Sequence, residues 1–211
     1  MIESISVSAT NSSWGALAPA AFVALAALPA APAWATVYES SEAAQRSLFP
    51  KAQSFEEAPL TLTDAQRDQV AKLGGAQAGH GQLRAWAARA DGNVLGYVFI
   101  DEVIGREDFI TYAVGIDANG KLRPVEILEY RESHGGEIRN KRWLAQFDGR
   151  SGPGQLRFGP DIKNISGATL SSEHVTAGVR RILAIWQTAL AHPNTTDVQI
   201  PAAPAGAAPG R

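Results

Sequence analysis

The sequence predicts an α+β fold, an antiparallel β-sheet meander flanked by helices, and three observations carry that expectation. Four runs rich in Val, Ile, Tyr, Phe and Trp, "QLRAWAARA", "NVLGYVFIDEV", "DFITYAVGID" and "KLRPVEILEY", follow one another between residues 82 and 130. Asp91-Gly92 separates the first two and Asp117-Ala118-Asn119-Gly120 the last two, and such residues tolerate the positive φ that tight hairpins need. After them, Val175, Val179, Ile182, Leu183, Trp186 and Leu190 recur at helical spacing and form one apolar stripe with Arg180 and Arg181 outside it, a pattern that packs across a sheet.

The elements follow in order. Residues 16–35 read "ALAPAAFVALAALPAAPAWA", an apolar run closing on Ala33-Trp34-Ala35, the small-x-small pattern of a secretory signal cleaved after Ala35. Pro19, Pro29 and Pro32 interrupt the run, so a continuous membrane-spanning helix is disfavoured, while the absence of Lys or Arg before Arg46 leaves the signal without its usual basic n-region. Residues 1–35 are expected to be a signal peptide or an N-terminal anchor, which places the remainder in the periplasm or another extracytoplasmic space. Residues 36–80 are expected to be a helical extension. In it "SSEAAQRSLFPKA" is a short helix capped by Ser40 or Ser41 and ended by Pro50, and "TLTDAQRDQVAKLGG" a second one with Thr63 and Gln66 as a capping box and Gly74-Gly75 as its stop. Gly96 and Gly115 fall inside predicted strands, where glycine marks a bulge or the close approach of another group. A short basic helix is expected over 138–147, then a glycine-rich loop, then the apolar helix. Residues 81–193 thus form the main domain, and the Pro/Ala/Gly-rich residues 194–211 bury nothing and are expected to be disordered.

Composition removes several chemistries. With 19 basic and 21 acidic side chains the formal charge is −2, which offers no electrostatic footprint for nucleic acid. The chain has no cysteine, so thiolate zinc sites, iron–sulfur clusters, disulfides and cysteine nucleophiles are excluded. His80, His134, His174 and His192 are too dispersed for a metal-ligand spacing, and no Gly-x-Ser-x-Gly elbow occurs. The basic trio Arg139, Lys141 and Arg142 suits an acidic partner or a solvated helix face.

What remains is the stretch "DIKNISGATLSS", beginning at Asp161. Small residues at the head of a long helix admit an anion, because first-turn amides lack intrahelical partners and the helix dipole is positive there. Gly167 and Ala168 permit close approach, and Thr169 supplies a hydroxyl. Ordinary capping by Thr169, Ser171 or Ser172 is the competing explanation.

That stretch resembles the flavinylation motif of the FMN-binding domain family, which includes components of sodium-translocating and Rnf-type redox complexes and the nitrous-oxide reductase regulatory protein. Asp161 and Ser166-Gly167-Ala168-Thr169 take the motif positions, Leu170 follows, and a long helix comes next as the family requires. A second resemblance lies in "YAVGIDANGKLRPVEILEYRESHGG": Glu132, Ser133 and Gly135 match the Glu, Thr and first Gly of the family's Glu-Thr-Pro-Gly-x-Gly loop, while His134 replaces the proline and Glu137 the last glycine. The two regions span most of residues 83–190.

The resemblance implies an FMN-binding domain-like fold and FMN joined through a phosphoester to Thr169 by a flavin transferase. It implies further contacts from Ser166, Gly167, Ala168, Leu170 and Gly135; by their own chemistry Glu132, Ser133 and His134 suit the polar edge of the ring, and Lys163 suits either the phosphate charge or plain solvation. Trp143 or Phe147 would shelter the ring or, on the bland alternative, pack a short helix. The implied role is an extracytoplasmic electron-transfer flavoprotein relaying electrons between a membrane donor and an acceptor, a redox component rather than a stand-alone catalyst, with no catalytic or metal residues. A flavin-dependent reductase of a small exported substrate and a non-redox regulatory module are the alternatives.

Overall fold

A computed structural model describes residues 36–37, 39–76, 82–132 and 135–191; the expected leader at 1–35 and tail at 194–211 lie outside the described residues. Strands β1 (Thr36–Val37), β2 (Ser54–Glu57), β3 (Arg84–Ala90), β4 (Asn93–Ile104), β5 (Phe109–Asp117) and β6 (Leu122–Tyr130) build one sheet in the order β1-β6-β5-β4-β3-β2, antiparallel throughout. Strands β3 to β6 are the expected meander. Its first hairpin turns on Asp91 (φ 51°) and Gly92 (φ 77°), and in the last the Asp117 carboxylate accepts from the amides of Asn119 and Lys121, both at 2.9 Å. The α+β class is as the sequence predicts.

The helices are α1 (Ser41–Leu48), α2 (Asp64–Gly74), α3 (Lys141–Leu144) and α4 (Thr169–Ala189). Ser40 caps α1 by accepting from the Ala43 amide at 3.2 Å. The capping box of α2 is complete: Thr63 Oγ1 accepts from the Gln66 amide, the Gln66 side chain accepts from the Thr63 amide, and Gly75 closes the helix in the left-handed conformation.

Helix α4 lies on one face of the sheet. Val175, Val179, Ile182 and Leu183 are fully buried there with Phe99, Tyr112, Val114 and Ile116, and α2 packs against the outer side of α4. On the opposite face α1 sets Ala44, Leu48 and Phe49 against Ala88, Val98, Ile100, Ala113 and Leu128. The two strand glycines explain themselves on this side. A Cβ at Gly96 would come within 2.6 Å of the Phe49 ring, and one at Gly115 within 3.3 Å of the same ring. Phe49 is seated in a socket that only these glycines leave open, beside shifts of register between β3 and β4 and between β5 and β6.

Three expectations are corrected. Residues 36–80 are not helical alone: β1 and β2 form the two edges of the sheet. Strand β2, "SFEE", alternates too weakly to be recognised, since only Phe55 packs on the core. The helix expected over 138–147 is a 3-10 turn, Gly136–Arg139, followed by the single turn of α3, because Asn140 takes extended backbone between them and caps α3 by accepting from the Arg142 amide at 2.9 Å. Arg181 is not outside the apolar face. Its guanidinium is ion-paired to Asp101, which also accepts from the Tyr112 hydroxyl at 2.6 Å; burial, first of all, pushes that phenol well above its ordinary range. A long cation on a helix edge reaches a partner that periodicity cannot see.

Candidate functional site

The head of α4 starts without a cap. Its N-cap position is Ala168, and no side chain bonds to the first-turn amides. The three serine and threonine hydroxyls expected to compete for that role are used or placed otherwise. Ser172 is fully buried and donates to the Thr169 carbonyl at 2.9 Å, and buried Ser171 stands 3.4 Å from the Tyr130 hydroxyl. Thr169 is exposed, and its hydroxyl has no partner among the described residues. The first intrahelical bond runs from the Ser172 amide to the Ala168 carbonyl at 2.9 Å. The amides of Thr169, Leu170 and Ser171 therefore donate to no group among the described residues, an arrangement that leaves the positive end of a 21-residue helix addressed outward.

Gly167 sets the approach. It has φ +88°, and a Cβ there would meet nothing within 4 Å, so glycine is demanded by the backbone and the space in front of the helix head is open. Ser166 is exposed beside it, Leu170 is 46 % exposed, and Ala168 is buried, turned to the protein. An uncapped helix head, an exposed hydroxyl and open space fit a phosphate group joined at Thr169.

The loop after β6 comes to this place. A Cβ on Gly135 (φ +87°) would lie 3.4 Å from the Cβ of Ala168. Tyr130, buried at the end of β6, joins the two parts: its hydroxyl reaches Glu132 Oε2 at 3.3 Å and Ser171 at 3.4 Å. Tyr130 was not expected at the site, and Ser171 was expected there only as a cap. A strand-end tyrosine reads as core, and its hydroxyl's partner is 41 residues away in sequence.

Other expected contacts are placed differently. Glu132 Oε1 accepts from three amides of the β4–β5 turn, those of Arg106, Glu107 at 2.8 Å and Asp108 at 3.4 Å, so this carboxylate fastens a hairpin to the loop rather than presenting that oxygen outward. Lys163 spends its ammonium on the carbonyls of Gly159 (3.0 Å) and Pro160 (3.3 Å). Trp143 is buried, donates its indole N–H to the Lys163 carbonyl at 2.6 Å and stacks edge-on with buried Phe147 at 5.2 Å between centroids; both aromatics belong to the core. Asp161 is gripped by Arg157 through its amide, Nε and Nη2 at 3.0, 2.8 and 3.1 Å, and those bonds hold its carboxyl down at about 2. Asp161 is thus the staple of the turn that delivers residues 162–168 to the helix. Ser133 and His134 lie outside the described residues.

No group of three or more His, Asp or Glu side chains able to hold a metal occurs among the described residues, and no helix among them is long and apolar enough to cross a membrane.

Residues 105–184, which include the loop after β6, the motif and most of α4, match the FMN-binding domain family. The family resemblance read from the sequence is therefore shown for this segment. The chain is 25 % identical over 159 residues to a component of the Na(+)-translocating ferredoxin:NAD(+) oxidoreductase complex of Acetobacterium woodii, covering 71 % of this chain and 75 % of that one. A solved structure, NqrC of Shewanella oneidensis, superposes with a TM-score of 0.44 at 17 % identity, over 72 % of this chain and 75 % of that one.

Proposed function

We propose, from the premise that residues 105–184 are an FMN-binding domain, that the protein is an extracytoplasmic electron-transfer flavoprotein carrying FMN on Thr169 through a phosphoester. The observation that carries this reading is the head of α4, where a threonine hydroxyl stands exposed and uncommitted beside three unpaired amides. Those amides hold the phosphate; Gly167 and exposed Ser166 leave it room. Gly135 brings the loop after β6 against Ala168, and Glu132 and Tyr130 fix that loop to the β4–β5 turn and to α4. When bound, FMN supplies one- and two-electron redox chemistry, and the chain's own residues bind and orient it.

A covalent link suits a protein outside the cytoplasm, where a dissociated cofactor would not be replaced. A flavin transferase makes the link, and a membrane or extracytoplasmic redox protein exchanges the electrons; the relative in A. woodii is by name part of such a redox complex. Intact mass spectrometry of the protein exported together with a flavin transferase tests the proposal. The expected result is a gain of about 440 Da, one FMN less water, located on Thr169. A protein of unmodified mass under those conditions overturns it.

A further inference from the structure

We propose that the tip of the β4–β5 hairpin is a docking surface for a protein partner that presents basic side chains around an apolar contact. The surface stands on the hairpin's own residues; only the redox character of the partner rests on the reading given above.

Residues opposite one another in adjacent strands share a face of the sheet, so the register fixes who stands beside whom. On the face that α1 covers, Ile100 pairs with Ala113, and both are buried in the cluster under that helix. One row farther along, Glu102, Thr111 and Glu129 stand abreast on β4, β5 and β6, and Thr111 Oγ1 donates to Glu102 Oε1 at 3.2 Å. In the last row Ile104 pairs with Phe109, and these two residues are 57 % and 46 % exposed. The cluster under α1 includes neither outer row. Two large apolar side chains are thus set together in solvent at the end of the two central strands.

The charges around that pair are one-sided. Glu102, Glu107, Asp108 and Glu129 bring carboxylates, and the guanidiniums of Arg106 and Arg131 are spent on Glu107 at 3.6 Å and Glu129 at 3.0 Å. Glu102 and Asp108 form no ion pair among the described residues, and Arg84, one row down on β3, lies over the Trp86 ring at 5.6 Å. A second copy of this face, an anionic lipid surface and a nucleic acid share its sign and are repelled; lysines and arginines ringing an apolar contact are attracted. The tip is also ordered before a partner arrives, which removes a cost of binding. Glu132 Oε1 holds the turn amides, the Gly105 amide donates to the Asp108 carbonyl at 2.8 Å, and Asp108 Oδ1 accepts from the Phe109 amide at 2.7 Å. His174, in the second turn of α4, donates its Nδ1–H to the Ile104 carbonyl at 2.5 Å. The tip is therefore joined to the helix that starts at Thr169 and, through Glu132, to the loop after β6. A partner seated on it stands beside the proposed flavin site.

The probe is ferricytochrome c, a basic protein whose lysines ring an exposed haem edge. Its binding to the full chain without FMN is mapped by 15N NMR shifts, so the result does not depend on Thr169, and intact mass of the flavin-loaded protein reports on the flavin reading separately. Shifts are expected over residues 102–111, with binding that weakens as ionic strength rises to about 0.15 M. Affinity should fall about tenfold when Ile104→Ser and Phe109→Ser are combined, as for the apolar centre of an interface. It should fall about threefold in Glu102→Gln and in Asp108→Asn, which remove a charge and keep an acceptor for Thr111 and for the Phe109 amide. No binding, shifts centred elsewhere, affinity indifferent to these variants, or a tip that instead takes up anionic vesicles or a second copy of the chain overturns the proposal. Should the combined apolar variant fail to fold, the two charge variants decide.

Discussion

Helices α2 and α4 begin in opposite ways, and the contrast separates what stabilises this molecule from what it uses. At the head of α2, Thr63 and Gln66 answer each other's amides, and the turn is closed. At the head of α4, three hydroxyl-bearing residues lie within the first turn, yet none caps the helix. Ser171 and Ser172 are turned inward, and Thr169 stands outward with nothing to hold. A helix whose only task is to pack does not leave that end open, because a side-chain cap is worth about 1 kcal/mol. The α4 head forgoes that stabilisation where the motif lies.

Substitutions at the two heads should therefore fail differently. The largest effect belongs to Thr169→Ala: covalent flavin should be lost entirely, seen as absence of the mass gain and of in-gel fluorescence, while stability changes by less than about 0.5 kcal/mol because the side chain is exposed and bonds to nothing. A marked fall in melting temperature for this variant would make the two heads alike and break the comparison. Next, Gly167→Ala should cost about 1 kcal/mol, since φ +88° is strained for any residue with a Cβ. Flavin loading should fall with it, as the approach to the helix head shifts. Thr63→Ala should cost about as much in urea denaturation and leave loading unchanged, for it removes a cap and nothing else.

The smallest effect concerns pH. The Asp161 carboxyl is held below its ordinary value of 3.8, so its bonds to Arg157 are at full strength above about pH 4 and are lost as pH falls toward 2. Asp161→Asn should flatten the acid limb of a stability profile measured by circular dichroism. In the wild type those bonds are at full strength near neutrality, so pH itself leaves both helix heads unchanged there.

How much of this was legible in the sequence follows from the range of each signal. The meander, the capping box and the α4 stripe depend on neighbours a few residues apart, and all three appear where residues 63–75, 84–130 and 169–189 place them. The Ser-Gly-Ala-Thr run was legible for the same reason. Strand β2 was not, because two of its four residues are glutamates and only Phe55 packs on the core. Long-range partners were equally hidden: Glu132 binds amides 24 to 26 residues away, Arg181 pairs with Asp101 across 80, and Trp143 bonds the Lys163 carbonyl across 20. Each of these side chains had the right chemistry for a flavin contact or a solvated face, and tertiary structure assigned it elsewhere.

The socket that receives Phe49 offers a practical handle. Because one ring touches both β4 and β5 through gaps left by Gly96 and Gly115, its magnetic environment changes only if α1 lifts from the sheet. A fluorine atom carried on that ring would be a spectroscopic sentinel for α1 docking, readable in the coloured, flavin-loaded protein where optical probes are swamped.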